Sequence, residues 1–259
     1  DLATNEPVLQ FIDVFTPMLD AAGQPRAELF GSDLLHMNAA GYALWRTVVG
    51  PALEAWAATK GQSFLFDFGA ADLTTGHGPN PNDPVNHWNN VTEAVGLSAT
   101  GHLRGVVNTR NQATRIVLRM VSLFQGFSRS GTVKSTRFPG NATRDSLYSA
   151  RLSNESPEIV AVFKLTGLNR ERVYHFTFYA SICPVLDSRG GTAGSYEATY
   201  MATGANSASV AHDPANNWYD RTATVVGIIP DALGEITVSL TPTTRNNRYG
   251  IHLNVLQVD

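Results

Sequence analysis

Tyr174-His175-Phe176-Thr177-Phe178-Tyr179 reads as a strand. Side chains alternate across a strand, so Tyr174, Phe176 and Phe178 share one face. Ile236-Thr237-Val238-Ser239-Leu240 repeats the pattern, with Ile236, Val238 and Leu240 pointing inward. Working outward from these two stretches, further strands are expected at 63–68, 105–108, 114–124, 146–152, 159–165, 196–202, 222–228 and 250–258. Clusters of Gly, Asn, Pro and Ser separate them, and no helical periodicity appears after Phe64. Short strands with turn-rich spacers predict a mainly β fold over residues 61–259: an antiparallel two-sheet β-sandwich, jelly-roll-like. The stretch 70–90, with Gly76, Gly78, Pro79, Pro81 and Pro84, is expected to be one long loop.

The 259 residues suffice for one large or two modest cores. Charged residues are only 16% of the chain, its net charge is −3 and its pI is near 6.2, which gives no electrostatic case for nucleic acid or an anionic membrane. No apolar run reaches the length of a membrane span. Cys183 is the single cysteine, so no intrachain disulfide can form, and its strand-end setting predicts a packed thiol.

The first 60 residues have a different character. A strand is expected at 9–15, then a loop, then a helix from Ala39 through Tyr42, Trp45, Val48 and Val49, broken near Gly50-Pro51. Asn38 is a good N-cap for that helix. The loop entering it, Gly31-Ser32-Asp33-Leu34-Leu35-His36-Met37-Asn38, puts a carboxylate three residues before an imidazole. A serine nucleophile needs a histidine to take its proton, and that histidine needs an acid to fix its tautomer and orientation. A polar helix entry is the other reading of the same residues.

Asp33-x-x-His36, followed by Asn38-Ala39-Ala40-Gly41-Tyr42, resembles the last block of the SGNH (GDSL-type) hydrolases over about residues 8–57. The resemblance implies the C-terminal end of a flavodoxin-like α/β domain, with Asp33 as the orienting acid and His36 as the general base. No Gly-Asp-Ser occurs in the chain; the blocks holding the nucleophile and oxyanion donors are expected to precede residue 1. Two regions are thus expected: residues 1–60, a short α/β remnant of an SGNH hydrolase domain, and residues 61–259, a β-sandwich accessory domain.

The second region resembles the carbohydrate-binding-module-like sandwiches attached to extracellular bacterial hydrolases. The resemblance rests on Phe66-Asp67-Phe68-Gly69, Trp88-Asn89-Asn90, 176–181 and Tyr249-Gly250-Ile251-His252-Leu253-Asn254. Aromatic rings stack on the C–H-rich faces of sugars, and nearby amides bind hydroxyls. Trp88 with Asn89, and Trp218 with Tyr219, have that composition. A ring tucked into the sandwich rim, its N–H on a loop acceptor, is the alternative for each. No cofactor is expected; the resemblance brings in a structural calcium ion, with Asp67, Asp72 and Asp83 as candidate oxygen ligands.

The expected protein is a piece of a secreted or periplasmic SGNH-type carbohydrate esterase carrying an accessory sandwich. A non-catalytic carbohydrate-binding module or structural spacer is the alternative. Expected partners are a polysaccharide or acylated carbohydrate and the upstream part of the same hydrolase domain.

Overall fold

The computed structural model describes residues 11–60, 63–70, 83–150, 160–184, 194–248 and 250–259. The chain divides into two compact units, Asp1–Gly61 and Gln62–Asp259.

In the first unit the described part of the expected strand, residues 11–15, is not extended. Asp13 Oδ1 accepts the amides of Phe15 and Thr16, both at 3.0 Å, and turns the chain into a short 3-10 helix at Thr16–Met18. A second one, Ala27–Leu29, carries the buried Leu29. Helix α1, Ala39–Lys60, is capped as the sequence predicts. Asn38 Oδ1 accepts the amides of Ala40 and Gly41 at 2.9 and 3.2 Å, and its amide group donates to the Glu28 and Phe30 carbonyls. Gly41 is required there, because the Leu29 carbonyl stands where a Cβ would project. The expected break at Gly50-Pro51 does not occur; α1 runs through Pro51. Gly50 has no Cβ for the proline ring to strike, which removes much of the usual penalty on the residue before proline.

The second unit is mainly β, in antiparallel sheets arranged as a sandwich. One sheet holds five strands in the order β11 (Thr222–Ile228), β8 (Tyr174–Tyr179), β14 (Val255–Val258), β1 (Phe64–Phe68), β2 (Asn89–Val91). A second holds six: β10 (Ser207–His212), β9 (Ala198–Thr203), β12 (Ile236–Pro242), β7 (Ala161–Thr166), β4 (Val117–Ser122), β3 (His102–Leu103). A third holds β13 (Gly250–Leu253), β6 (Ser146–Ala150) and β5 (Gly126–Ser128). Every named pair is antiparallel except β1 with β2.

The alternation seen in the sequence is the burial pattern. In β7 Ala161, Phe163 and Leu165 are buried, and in β12 Ile236, Val238 and Leu240. They meet Phe66, Phe68, Phe176 and Phe178 of the five-stranded sheet in one core. Strand β1 is buried on both faces, because Phe138, Ala142 and Trp88 cover its outer face over Leu65, Val255 and Tyr179. The single strand expected at 250–258 is two strands in different sheets, parted at Asn254. That side chain donates to the carbonyls of Thr143 (3.0 Å) and Asp145 (2.5 Å) and accepts the Ser181 amide (2.9 Å), joining three segments. Four strands were not expected: β2, β3, β5 and β10. Residues 105–108 form no strand, only an isolated bridge between Val107 and Ala113. Two one-turn helices, at Glu93–Gly96 and Gly140–Thr143, also lack a sequence signal.

Candidate functional site

Asp33 and His36 meet as their spacing requires. Asp33 Oδ1 accepts the amides of Leu35 and His36 at 3.1 Å, which curls the loop, and Asp33 Oδ2 lies 2.6 Å from His36 Nδ1. The bond from His36 is the chief cause that holds the Asp33 carboxyl below its usual range. The curl leaves Leu34 in the left-handed region, at φ 54°. The imidazole side chain is 80% exposed, with its Nδ1 edge on the carboxylate and its Nε2 edge opposite. A ring so held can take a proton at Nε2, with the carboxylate stabilising the resulting charge.

In the sandwich, residues 216–220 present Trp218, 36% exposed, and Tyr219, 62% exposed. Their backbone is fixed from below. Thr132 Oγ1 donates to the Trp218 carbonyl and the Tyr179 hydroxyl to the Tyr219 carbonyl, both at 3.0 Å. The buried Asn217 amide donates to the Ala180 and Arg221 carbonyls at 2.8 Å, and Ser181 Oγ donates to the Asn217 carbonyl. Asp220 closes the loop on the 135–137 turn. It accepts Ser135 Oγ and Thr136 Oγ1 at 2.6 Å and the Thr136 and Arg137 amides at 3.0 and 3.1 Å. Those bonds, from Ser135 first, pull the Asp220 carboxyl down to about 2. Lys134 Nζ stands 5.1 Å from the Trp218 ring centroid. Two exposed aromatic side chains thus stand on an anchored backbone, with the Lys134 ammonium over the indole ring. The parts that Thr132, Lys134, Tyr179 and Asp220 play under this loop gave no signal in the sequence, because each acts across at least forty residues of chain.

The Trp88–Asn89 pair is used differently. Trp88 Nε1 donates to Asp83 Oδ2 at 2.9 Å, and its ring packs edge-on against Phe138. Asn89 is buried. Its amide donates to the Leu65 and Val107 carbonyls and its Oδ1 accepts the Val107 amide, so the side chain stitches β2 to its neighbours. The half-buried Trp88 ring thus makes the contacts of the rim-packing alternative, and the Asn89 side chain is taken up by backbone groups. Cys183 is buried, its sulfur 3.6 Å from Ser181 Oγ.

Of the three carboxylates named for calcium, the two described ones are engaged apart from each other. Asp83 holds Trp88 and Asn86, Asp72 lies outside the described residues, and Asp67 is buried against Asp145 instead. Among the described residues no group of three or more His, Cys, Asp or Glu side chains is placed to hold a metal ion. Asp67 and Asp145 each keep one buried oxygen without a hydrogen-bond partner. Asp145 sits where a Cβ on Gly69 would be, and its other oxygen accepts the Ala70 amide at 2.7 Å. Burial, more than anything else, pushes the Asp145 carboxyl up to about 6 and Asp67 well above its usual range.

No family model matches the chain, and no curated protein matches it by sequence. Solved structures similar to it include the ANX1 ectodomain from Arabidopsis thaliana, at 10% identity and TM-score 0.43 over 75% of this chain. They also include CBM35 from Cellvibrio japonicus Abf62, at 20% identity and TM-score 0.30 over 56% of this chain and 92% of that one. TmCBM61, in complex with β-1,4-galactotriose, is similar at 15% identity and TM-score 0.27 over 44% of this chain and 70% of that one. The chain spans 39% and 47% of the lengths of two plant ectodomains it matches. No described helix is long and apolar enough to cross a membrane.

Proposed function

We propose that residues 63–259 form a non-catalytic carbohydrate-binding module that works outside the cell, with Trp218 and Tyr219 as its sugar platform. The observation that carries this reading is the anchoring of residues 216–220: two exposed aromatic side chains stand on a backbone whose Asn217, Trp218 and Tyr219 carbonyls and flanking Asp220 carboxylate are engaged. Holding both rings before the ligand arrives lowers the ordering cost of binding. The indole and phenol bodies offer apolar faces to a pyranose, and the Tyr219 hydroxyl can exchange hydrogen bonds with sugar hydroxyls. Affinity electrophoresis through gels containing neutral polysaccharides (galactan, xylan, mannan and β-glucan) tests it. At least one gel retards the protein, and Trp218→Ala weakens that retardation about tenfold or more, the loss expected of a central aromatic anchor. Equal retardation of Trp218→Ala and the unchanged protein contradicts the reading.

The Asp33–His36 bond favours a second reading for the first unit: the acid and base of an SGNH-type serine ester hydrolase, acting on acylated carbohydrate. The serine would come from the upstream part of that hydrolase domain. The present chain is then expected to release no p-nitrophenol from p-nitrophenyl acetate above buffer, with or without His36→Ala. Turnover that is the same in both proteins contradicts the assignment.

A further inference from the structure

We propose that an anionic polysaccharide docks on the open face of the six-stranded sheet, across β3, β4 and β7. Residues opposite each other in the register point to the same side. One such row runs His102, Arg119, Lys164, Thr237, Thr203, Ser207 from one edge of the sheet to the other. Leu118, Met120, Phe163, Leu165, Val238 and Ala202, the chain neighbours of that row, face the core, so the row faces outward. Six strands at their usual spacing make the row about 24 Å long, the reach of several sugars end to end. It is a track of hydrogen-bond donors, with its cations gathered at the β3 end.

The placing of Arg119 directly opposite Lys164 opposes folding, since like charges across a strand pair repel. Lys164 has a counter-ion in Glu235, at 2.8 Å. Neither Arg119 nor Arg104 has an ion pair among the described residues. Both line a shallow cavity of about 430 Å³ with His102, Thr100, Thr166 and Glu235. An exposed guanidinium held beside another cation, in a cavity open to solvent, is a site for carboxylate or sulfate. No Phe, Tyr or Trp side chain points outward from these strands, so a single-stranded nucleic acid finds no stacking surface. The net charge of −3 does not favour a duplex. A sugar chain bearing carboxylates among hydroxyls matches this face: carboxylates at Arg119 and, in the same cavity, Arg104, hydroxyls at Thr237, Thr203 and Ser207. This surface is built from other residues than the Trp218–Tyr219 loop and does not rest on it.

Titration with polygalacturonate at low salt tests the proposal, with excess neutral dextran present so that binding at the aromatic loop does not contribute. The expected results are saturable binding that weakens as salt rises, and an affinity about tenfold lower in Arg119→Glu. Arg104→Gln, a second exposed site, is expected to weaken binding in the same direction. Arg119→Glu should melt close to the unchanged protein, because it removes the repulsion with Lys164 while the new carboxylate meets Glu235 across the same cavity. Undiminished binding by Arg119→Glu, absence of binding by the unchanged protein, or tighter binding of a single-stranded oligonucleotide than of polygalacturonate would each overturn it.

Discussion

Asn254→Ala is expected to destabilise the sandwich by about 4 kcal/mol, from two buried carbonyls and one amide that lose their partner, at roughly 1–3 kcal/mol each less some relaxation. The side chain sits at the point where the chain leaves β13 for β14 and so passes between sheets. It is fully buried, and its three bonds reach Thr143, Asp145 and Ser181. Water cannot enter to replace them. Asn254→Asp does no better: a carboxylate would face the Thr143 and Asp145 carbonyls with no proton to donate. Urea midpoints measure the loss, and a drop below about 1 kcal/mol would mean that the amide is a bystander.

Asp145→Asn is expected to do the opposite at neutral pH. Asp145 and Asp67 lie together in the interior, each with an oxygen that has no donor. Burial lifts Asp145 to about 6, with Glu93 adding to the lift while Arg129 and the Ala70 amide resist it. The folded state therefore binds more protons than the unfolded chain between about pH 4 and pH 6, and stability falls as pH rises through that window. At pH 7 the penalty is fully present: roughly two pKa units at about 1.4 kcal/mol each, or about 3 kcal/mol. An asparagine keeps the acceptor for the Ala70 amide and carries no charge. Its stabilisation should be present at pH 7 and vanish near pH 4. A gain that persists at pH 4 would assign the effect to packing.

Two buried histidines set the acid side of the same profile. His212 and His252 are pushed down to about 4 and about 3, in each case chiefly by burial. They stay neutral in the fold while the unfolded chain takes up protons from about pH 6.5 downward. Their contribution is intact above that pH, is lost progressively as pH falls below it, and is gone by about pH 4 for His212 and about pH 3 for His252. Between pH 4 and 6 the carboxyl pair and the histidines pull in opposite directions, so the unchanged protein should vary little there.

The alternation in 236–240 is legible because β12 buries one face fully and the other only in part, whereas 174–179, which buries Thr177 and Tyr179 as well as Tyr174, Phe176 and Phe178, reads as a strand through its aromatic-rich composition. Strand β11 begins and ends where the sequence places it, at Thr222 and Ile228. Strands β2, β3 and β5 are two or three residues long and exist through pairing with distant partners, so no local period marks them. In β10 the inward face is Ala208, Val210 and His212, a small residue, a single aliphatic and a polar ring, too faint to read. The loop holding Asp33 and His36 was legible because the bonds of the Asp33 carboxylate span two or three residues. The support of Trp218 was not, because Thr132 and Asp220 act across 86 and 85 residues. Trp88 and Trp218 have similar neighbours in sequence; only the fold separates a ring packed on Phe138 from one that faces solvent.

The most direct measurement is on the two indole N–H groups. A polysaccharide that retards the protein should, as short oligosaccharides added in an NMR titration, shift the Trp218 Nε1 resonance saturably and leave that of Trp88 in place. A shift confined to Trp88, or none at either ring while binding occurs, would contradict the account.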